Sequence, residues 1–230
     1  MSQAMKNGLV HETGLIAHGR GEAFDYVIGE KTIVQADNAA RTAAAALLCA
    51  ENPVISVNGN VVALAAEECV KLAECIPVKL EINLFHRTDT RIKRLAKVLQ
   101  NLGAQKVYGL HADARIPGLD HDRAWCDRDG IFSADVVLVS LEDGDRCQAL
   151  RNMGKTVIAV DLNPLSRTAM TATITIVDNV VRAIPNIEKW IGKLEKRDER
   201  ELKQTIHQWD NKKMLKGTLS FISKRLNSLF

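Results

Sequence analysis

Six short runs of aliphatic and β-branched residues recur along the chain, and the segments between them carry apolar residues at helical spacing. The run 157–160 is apolar at every position and does not alternate, which is typical of a strand buried on both faces of a parallel sheet. We predict strands at 53–57, 78–84, 106–110, 135–141, 156–160 and 173–177.

Three of the intervening segments have clear helical patterns. Residues 37–51 are rich in alanine and leucine, and residues 62–75 have apolar positions at helical spacing. Residues 88–102 carry an apolar stripe that ends at Gly103, a plausible stop signal. Alternating strands and helices predict βαβ units, and therefore an α/β fold with a doubly wound, mostly parallel sheet.

Two segments depart from this alternation. Residues 111–134 are polar and contain Pro117 and Gly118, so we predict a long loop, and such loops in compact domains tend to be functional. Residues 186–230 are predicted to be helical throughout. We therefore expect an α/β domain at 1–185 and a C-terminal helical extension at 186–230 that packs on the core or on a second subunit. The apolar stripes of this extension are Ile187, Trp190, Ile191 and Leu194, and Leu215, Leu219, Ile222, Leu226 and Leu229.

The composition excludes several classes of function. The net charge of +3 is too small to favour nucleic-acid binding, and the eleven Lys or Arg against six Asp or Glu in 188–225 are typical of a solvated helical face. The five cysteines contain no C-x-x-C pair, so they predict neither a disulfide framework nor a zinc site. No apolar run is long enough to cross a bilayer and no apolar leader is present. We expect a cytoplasmic protein that binds neither membranes nor nucleic acid.

The richest candidate site follows the predicted strand at 156–160. Asp161, Asn163, Ser166, Arg167 and Thr168 lie in a short turn beyond its carboxyl end. Ligands of open α/β sheets bind in the crevice beyond the carboxyl ends of the strands, and a guanidinium is a fixed positive fork that suits phosphate. This turn therefore predicts a nucleotide or phosphate site.

Three further clusters are less specific, and each has two interpretations. Residues 18–22 place Arg20 between two glycines, which predicts either an anion-binding turn or a plain loop. Residues 58–60 connect a strand to a helix, so they predict either an anion site or an asparagine cap. Residues 142–146 carry three carboxylates, which predict a magnesium or ammonium site or merely a helix cap. A G-x-G-x-x-G fingerprint is absent because position 24 is Phe24.

Together these clusters resemble one known family. The resemblance runs from Met5 to the C-terminus and is carried by long motifs in a fixed order, such as Leu-Phe-His-Arg-Thr at 84–88 and Asp-Leu-Asn-Pro-Leu-Ser-Arg at 161–167. The other motifs are 14–26, 53–60, 115–119, 141–146 and 174–179. In these stretches the sequence is similar to the archaeal phosphopantothenate synthetases, also called 4-phosphopantoate–β-alanine ligases.

The resemblance implies an enzyme of coenzyme A biosynthesis with a Rossmann-like catalytic domain, active as a homodimer. Such a ligase joins 4-phosphopantoate to β-alanine with ATP as cosubstrate and Mg²⁺ beside it, and it releases AMP and pyrophosphate through an acyl-adenylate. The family carries one further ATP-binding arginine in an upstream segment that has no counterpart in this sequence. Its other ATP contacts map onto Arg20, Asp161, Leu162, Asn163, Arg167, Thr168, Asn179 and Val180.

The binding site for the phosphate of 4-phosphopantoate is a separate hypothesis. The most suitable groups are the turn of Asn58, Gly59 and Asn60, together with Arg87 or Arg115. No metal cluster held by the protein alone is expected.

The proton acceptor is left open by the sequence. β-Alanine must lose its ammonium proton before it attacks, and the candidate acceptors are Asp143, Asp145, His18 and His121. A nucleotide-dependent oxidoreductase is disfavoured, because the glycine fingerprint and its acidic partner are missing. A non-catalytic nucleotide-binding module is the alternative function.

Overall fold

A computed structural model of the chain describes residues 1–229, and a six-stranded sheet lies at its centre. The strands in chain order are β1 (Pro53–Val57), β2 (Lys79–Ile82), β3 (Val107–Tyr108), β4 (Ala114–Arg115), β5 (Trp125–Cys126), β6 (Val136–Ser140), β7 (Thr156–Val160) and β8 (Ile174–Ile176). The main sheet has the order β3-β2-β1-β6-β7-β8 with every neighbouring pair parallel, whereas β4 and β5 form a separate antiparallel pair.

Ten α-helices connect and cover these strands in the described part of the chain. They are α1 (Ser2–Lys6), α2 (Glu12–Ile28), α3 (Val34–Cys49), α4 (Gly59–Cys75), α5 (Asp89–Asn101), α6 (Gly144–Asn152), α7 (Arg167–Thr171), α8 (Val180–Leu194), α9 (Glu199–His207) and α10 (Asn211–Asn227).

The predicted α/β architecture is confirmed, and all six predicted strands are present in the main sheet. Counted in chain order, these strands are arranged 3-2-1-4-5-6, which is the Rossmann order. The winding of the chain reverses between β1 and β6. A crevice therefore opens beyond the carboxyl ends of these two strands, where doubly wound proteins bind their ligands.

Alternate strand residues face two separate apolar clusters, which explains why consecutive residues of strands such as β7 are apolar. On one face, Ile55 and Ile158 belong to a cluster with apolar residues of α3, α4, α5 and α8. On the other face, Val54 and Val157 belong to a cluster with residues of the segment 114–134 and of α6. Both faces are covered, as expected for a parallel sheet.

Helix α5 shows how local sequence sets an element. The Thr88 side chain accepts a hydrogen bond from the backbone N–H of Arg91 and so caps the first turn. Ile92 and Leu99 lie on the buried stripe of the helix. Gly103 follows with a φ of +111°, a conformation that favours glycine, so the predicted stop is confirmed.

Residues 18–22 form neither a turn nor a loop, and both interpretations of this cluster were wrong. They lie inside α2, which begins after the cap residue His11 and ends at Gly29 with a φ of +95°. Backbone N–H groups in a helix interior are bonded to the preceding turn, so they cannot surround an anion. The contribution of this segment is therefore limited to side chains such as that of Arg20.

The segment 111–134 is also more ordered than predicted. In place of a structureless loop it contains β4, β5 and two short turns of helix. Its residues Ile116 and Ile131 are completely buried, because this segment covers the second face of the sheet.

The C-terminal segment is helical, as predicted. Ile187 and Ile191 of α8 and Leu215 of α10 are buried, whereas Leu226 remains exposed. The expected boundary at residue 185 lies within α8, and the division into two domains stays a prediction. Within residues 1–229, none of the helices combines the length and the apolar character needed to cross a bilayer.

Candidate functional site

A cleft of about 600 Å³ lies at the reversal point, beyond the carboxyl ends of β1 and β6. Helices α4 and α6 begin at this cleft, so the positive ends of their dipoles add to its field. The charged residues in its lining are the arginines Arg20, Arg91, Arg123 and Arg167 and the carboxylates Glu142 and Asp143. This excess of guanidinium groups suits an anionic ligand.

The turn after β1 is held by Asn58. Its side-chain oxygen accepts hydrogen bonds from the backbone N–H groups of Asn60 and Val61, at 3.0 and 3.1 Å. Its side-chain nitrogen donates to the carbonyl of Ser140 at 2.9 Å, which ties the end of β1 to the end of β6. The asparagine cap is therefore present. Of the backbone N–H groups in the first turn of α4, those of Asn60 and Val61 already donate to the Asn58 side chain.

The floor of the cleft is a buried ionic cluster after β6. Leu141 has a φ of +53°, a strained conformation for a branched residue, and the completely buried Glu142 follows it. Glu142 accepts hydrogen bonds from Arg123 at 2.9 Å and from the completely buried Arg146. We call Arg123, Glu142 and Arg146 the buried ionic cluster.

Arg123 crosses the carboxyl end of β1. It bonds Asn83 beyond β2 at 3.1 Å, and its other nitrogens bond Glu142 and approach Asp143 at 3.5 Å, both beyond β6. The side chain is nearly buried yet contributes to the lining of the cleft. It is therefore a fixed cation at the centre of the site.

Asp143 faces the cleft as an anion. Burial raises the pKa of its carboxyl, but the charge of Arg123 and the backbone N–H of Arg146 outweigh burial, so the pKa lies below its ordinary value. The ring of His121 stacks on Phe85, and its Nε2 lies 4.0 Å from the Asp143 carboxylate. Its Nδ1 is buried and has no hydrogen-bond partner within residues 1–229.

The turn after β7 is organised by Asp161. Its carboxylate accepts hydrogen bonds from the backbone N–H of Asn163 at 2.9 Å and from the Ser166 hydroxyl. Ser166 in turn caps α7 by accepting from the N–H of Ala169. Burial raises the pKa of Asp161 despite these two hydrogen bonds.

The start of α7 completes this side of the cleft. Arg167 is largely exposed and forms a two-pronged pair with Asp145, at 2.8 and 3.1 Å. Thr168 is buried and donates its hydroxyl to the carbonyl of Glu142. A side chain at Gly144 would collide with Arg167, since its Cβ would lie 2.6 Å from that of Arg167.

The opposite side of the cleft is lined by aromatic rings and Arg91. The rings of His11 and His86 stack with centroids 3.9 Å apart, and Phe85 meets His86 edge-on. Burial lowers the pKa of His86, and electrostatic interaction with the neighbouring His11 and Arg91 lowers it further. Near neutral pH His86 is therefore an uncharged imidazole that can donate one hydrogen bond.

Comparison with known proteins agrees with the sequence resemblance. Residues 35–225 match the model of the family described as phosphopantothenate/pantothenate synthetase. The chain belongs to this family. Proteins named 4-phosphopantoate–β-alanine ligase are similar over nearly the whole chain: that of Thermococcus onnurineus is 51% identical, covering 99% of this chain and 87% of its own length. That of Methanosarcina mazei is also 51% identical, covering 100% and 90%, and that of Thermococcus kodakarensis is 50% identical, covering 99% and 87%.

The synthetase cleft brings together many, but not all, of the predicted site residues. Those in its lining are Arg20, Asn58, Gly59, Asn60, Asp143, Arg167 and Thr168. A second group of predicted site residues lines a small neighbouring cavity of about 20 Å³, which has room for about one water molecule. Its lining includes His18, Leu162, Asn179 and Val180. Leu141 lines both spaces, so the two groups are adjacent.

The remaining predicted residues have other surroundings. Asp161 and Asn163 shape the turn before α7, and Asp145 pairs with Arg167 at the surface. Arg87 and Arg115 do not line the cleft: Arg87 donates to the carbonyl of Gly109, and Arg115 lies over the ring of Trp125 in the β4–β5 pair.

Four histidines and arginines of the cleft were missed from the sequence: His11, His86, Arg91 and Arg123. His86 lies in the motif 84–88 directly after β2, and its place beyond the end of a strand was a usable signal. The other three come from α5 or from segments outside the predicted strand ends, and no local pattern indicated them.

Proposed function

We propose that the chain is a 4-phosphopantoate–β-alanine ligase of coenzyme A biosynthesis. The main support for the proposal is the cleft at the reversal point, which is lined by four arginines. The chain is also about 50% identical to proteins of that name over nearly its whole length. Two phosphorylated substrates need such a concentration of fixed cations.

The chemistry follows from the substrates. A carboxylate resists attack by an amine, so an oxygen of the 4-phosphopantoate carboxylate first attacks the α-phosphorus of ATP and pyrophosphate leaves. The amine of β-alanine then attacks the acyl carbon of this adenylate, the carbon–oxygen bond to AMP breaks, and the nitrogen loses its extra proton. The products are 4′-phosphopantothenate, AMP and pyrophosphate.

We assign the nucleotide to the side of the cleft formed by α2 and α7. The exposed guanidinium of Arg167 and the side chain of Arg20 supply charge for the triphosphate, next to Thr168. The neighbouring small cavity, lined by Leu162, Asn179 and Val180, supports a nucleoside contact there. The turn residues Asp161 and Asn163 belong to the same assignment, and the hydrogen bonds of Asp161 within the turn indicate that it shapes the turn.

We assign 4-phosphopantoate to the opposite side. Arg91 and the stacked imidazoles of His11 and His86 supply donors for the phosphate, and Phe85 supplies an apolar wall for the branched carbon skeleton. The turn at 58–60 lies between the two sides, so we assign it the role of shaping the cleft. Arg123 at the centre lies where the carboxylate and the α-phosphate would meet.

A magnesium ion fits this site only together with the nucleotide. Within residues 1–229, no group of three or more metal-ligating side chains is close enough to form a cage. Of the two cleft carboxylates, Glu142 is completely buried and bonded to arginines, whereas Asp143 is partly exposed. Asp143 would therefore hold a Mg²⁺ that the triphosphate brings, and that ion would neutralise charge on the phosphates.

The four candidate proton acceptors differ in surroundings. Asp145 is paired at the surface, and His18 lies at the small cavity beside Glu22. Asp143 has a lowered pKa, so its carboxylate is a poor acceptor for the proton of β-alanine. His121 does not line the cleft itself, but its Nε2 lies 4.0 Å from the Asp143 carboxylate and its buried Nδ1 has no hydrogen-bond partner within residues 1–229, so we assign the proton transfer to His121. We further propose a homodimer in the cytoplasm.

Product analysis of the purified protein tests the proposal. Wild-type protein should release AMP and pyrophosphate only when ATP, 4-phosphopantoate and β-alanine are all present. Release of phosphate instead of AMP would contradict the adenylate route, and binding of ATP without turnover would favour a non-catalytic nucleotide-binding module.

Arginine variants test the nucleotide assignment. Arg20→Ala and Arg167→Ala should each slow AMP formation by about 10²–10³, the usual effect of removing one donor from a developing charge. Arg115→Ala is the matched control, because Arg115 is exposed and lies outside the cleft. Near-normal rates in both cleft variants would contradict the assignment.

A further inference from the structure

Helix α2 forms one wall of the cleft but is poorly anchored by apolar contacts. Of its seventeen residues, only Asp25 and Ile28 are buried. At its first turn, the carbonyl of Gly14 accepts a hydrogen bond from the Asn60 side chain at 2.8 Å. Arg20 lies between this contact and Asp25, so the orientation of its side chain depends on polar contacts at both ends of the helix.

The contact at the far end joins the buried residues Asp25, Asp178 and Asn179 to the partly exposed Arg182, and we call these four residues the Asp25 network. The carboxylate of Asp25 accepts from both terminal nitrogens of Arg182, one of them at 3.1 Å, and from the Asn179 side chain at 2.8 Å. Asp178 accepts from Arg182 Nε at 2.8 Å and from the backbone N–H of Asn179 at 2.8 Å. The network thus joins α2 to the end of β8 and the start of α8.

Burial makes this network sensitive to geometry. Asp25 is 4% exposed and Asp178 is 1% exposed, so neither carboxylate can exchange its partners for water. Buried ion pairs are stable only in a narrow range of positions. Asp178 follows β8 and Arg182 lies on α8, and the apolar residues of both elements belong to the core. Asp25 therefore helps to fix the position and the rotation of α2, together with Glu22, which accepts a hydrogen bond from the Asn179 side chain at 2.9 Å.

We infer that Asp25, held by Arg182, is a positioning residue of the ligase, which aims Arg20 into the nucleotide side of the cleft. Arg20 precedes Asp25 by five residues on the same helix, about one and a half turns. A rotation of α2 about its axis would therefore turn the Arg20 side chain away from the cleft that it lines. The inference rests on the proposed function for its kinetic consequence, but it also predicts weaker binding of ATP alone.

The test is a double-mutant cycle. Asp25→Asn should raise KM and Kd for ATP about tenfold and leave KM for 4-phosphopantoate unchanged. In an Arg20→Ala background, Asp25→Asn should change the Kd for ATP by less than about twofold, because the group that it positions is already gone. If the factors by which the two substitutions weaken ATP binding multiply in the double variant, Asp25 acts through another group, such as Asn179, and the inference is overturned.

A matched control and a second variant complete the design. Asp37 of α3 accepts hydrogen bonds from Asn186 and Trp190 of α8, so Asp37→Asn removes a similar link to the same helix without touching α2. It should leave ATP binding unchanged, and an equal loss of affinity would indicate a merely structural role for Asp25. If Asp25→Asn does not fold, Arg182→Lys provides the same readout with a smaller effect of the same sign.

Calorimetry separates this inference from the proposed function. ATP binding is measured without the acid substrate, so it reports on α2 even if the wild-type protein makes no AMP. Absence of turnover with a clear effect of Asp25→Asn on Kd would overturn the ligase activity alone. Normal turnover with an unchanged Kd would overturn the positioning role alone.

Discussion

Removing the charge of Glu142 should destabilise the protein strongly. The Glu142 side chain is completely buried between two guanidinium groups, and Glu142→Gln keeps its shape while it removes the only anion within residues 1–229 that both arginines bond. Arg146 is completely buried, its other side-chain bond is to the Ser56 hydroxyl at 3.0 Å, and its Nε has no partner within residues 1–229. The variant therefore leaves Arg146 as an uncompensated buried charge.

The size of the effect can be estimated from the same contacts. Breaking a buried ion pair by removing one partner costs about 3–5 kcal/mol. Burial already lowers the pKa of Arg123, and Glu142 is the strongest charge that opposes this, whereas Asp143 at 3.5 Å compensates Arg123 only in part. A protein of this length loses about 2–4 °C of Tm per kcal/mol, so Tm should fall by roughly 6–20 °C.

Thermal and urea unfolding measure this loss. Asp145→Asn is the matched control, since Asp145 also pairs with an arginine but both side chains are exposed, and its Tm should stay close to that of the wild type. In Glu142→Gln, replacing Arg146 by Met should recover part of the lost stability, because the unpaired charge is then gone. If the free energy of unfolding of Glu142→Gln were within about 1 kcal/mol of the wild-type value, this prediction would be wrong, because the buried charges would then not depend on each other.

Two further predictions concern the same region. Burial raises the pKa of Glu81 from 4.5 to about 7, although the backbone N–H groups of Asp127 and Ile131 donate hydrogen bonds to its carboxylate. The stability that Glu81 contributes is therefore complete below pH 4.5 and is lost as the pH rises through about 7. The loss amounts to roughly 3 kcal/mol. Glu81→Gln should remove this pH dependence, and urea unfolding at several pH values checks it; an unchanged slope would contradict the assignment. Gly144→Ala places a Cβ 2.6 Å from that of Arg167, so it should raise KM for ATP with little change in KM for 4-phosphopantoate. Steady-state kinetics with each substrate varied in turn measure both values, and an unchanged KM for ATP would contradict the prediction.

The turns of the candidate site show how far local sequence reaches. Asn58, Thr88, Ser166 and Asn179 each cap the helix that follows them, because a side-chain oxygen bonds backbone N–H groups only two or three residues away. Such contacts do not depend on the rest of the fold, so the motifs at these positions can be located from the amino-acid sequence alone. Helix α2 is the counterexample, since Gly19 and Gly21 suggested a turn but the helix continues through them.

The distance between residues in the chain explains which parts of the site escaped prediction. Asn83 and Arg123 are forty residues apart, yet the Arg123 side chain bonds Asn83 because the segment 111–134 folds back over the second face of the sheet. Arg87 and Arg115 lie near these residues in sequence but outside the cleft. No local pattern encodes such a fold-back, because it is driven by burial of Ile116 and Ile131 against distant strands.

Local patterns in the chain were sufficient to predict the six strands, most of the helices and the family, because apolar periodicity and cap residues act over a few positions and long motifs are specific. The order of the strands, the central place of Arg123 and the stacking of the His11 and His86 rings became visible only in the folded molecule. These depend on which apolar faces are buried together and on the packing of buried charges. Both are properties of the assembled core, which no short stretch of the chain contains.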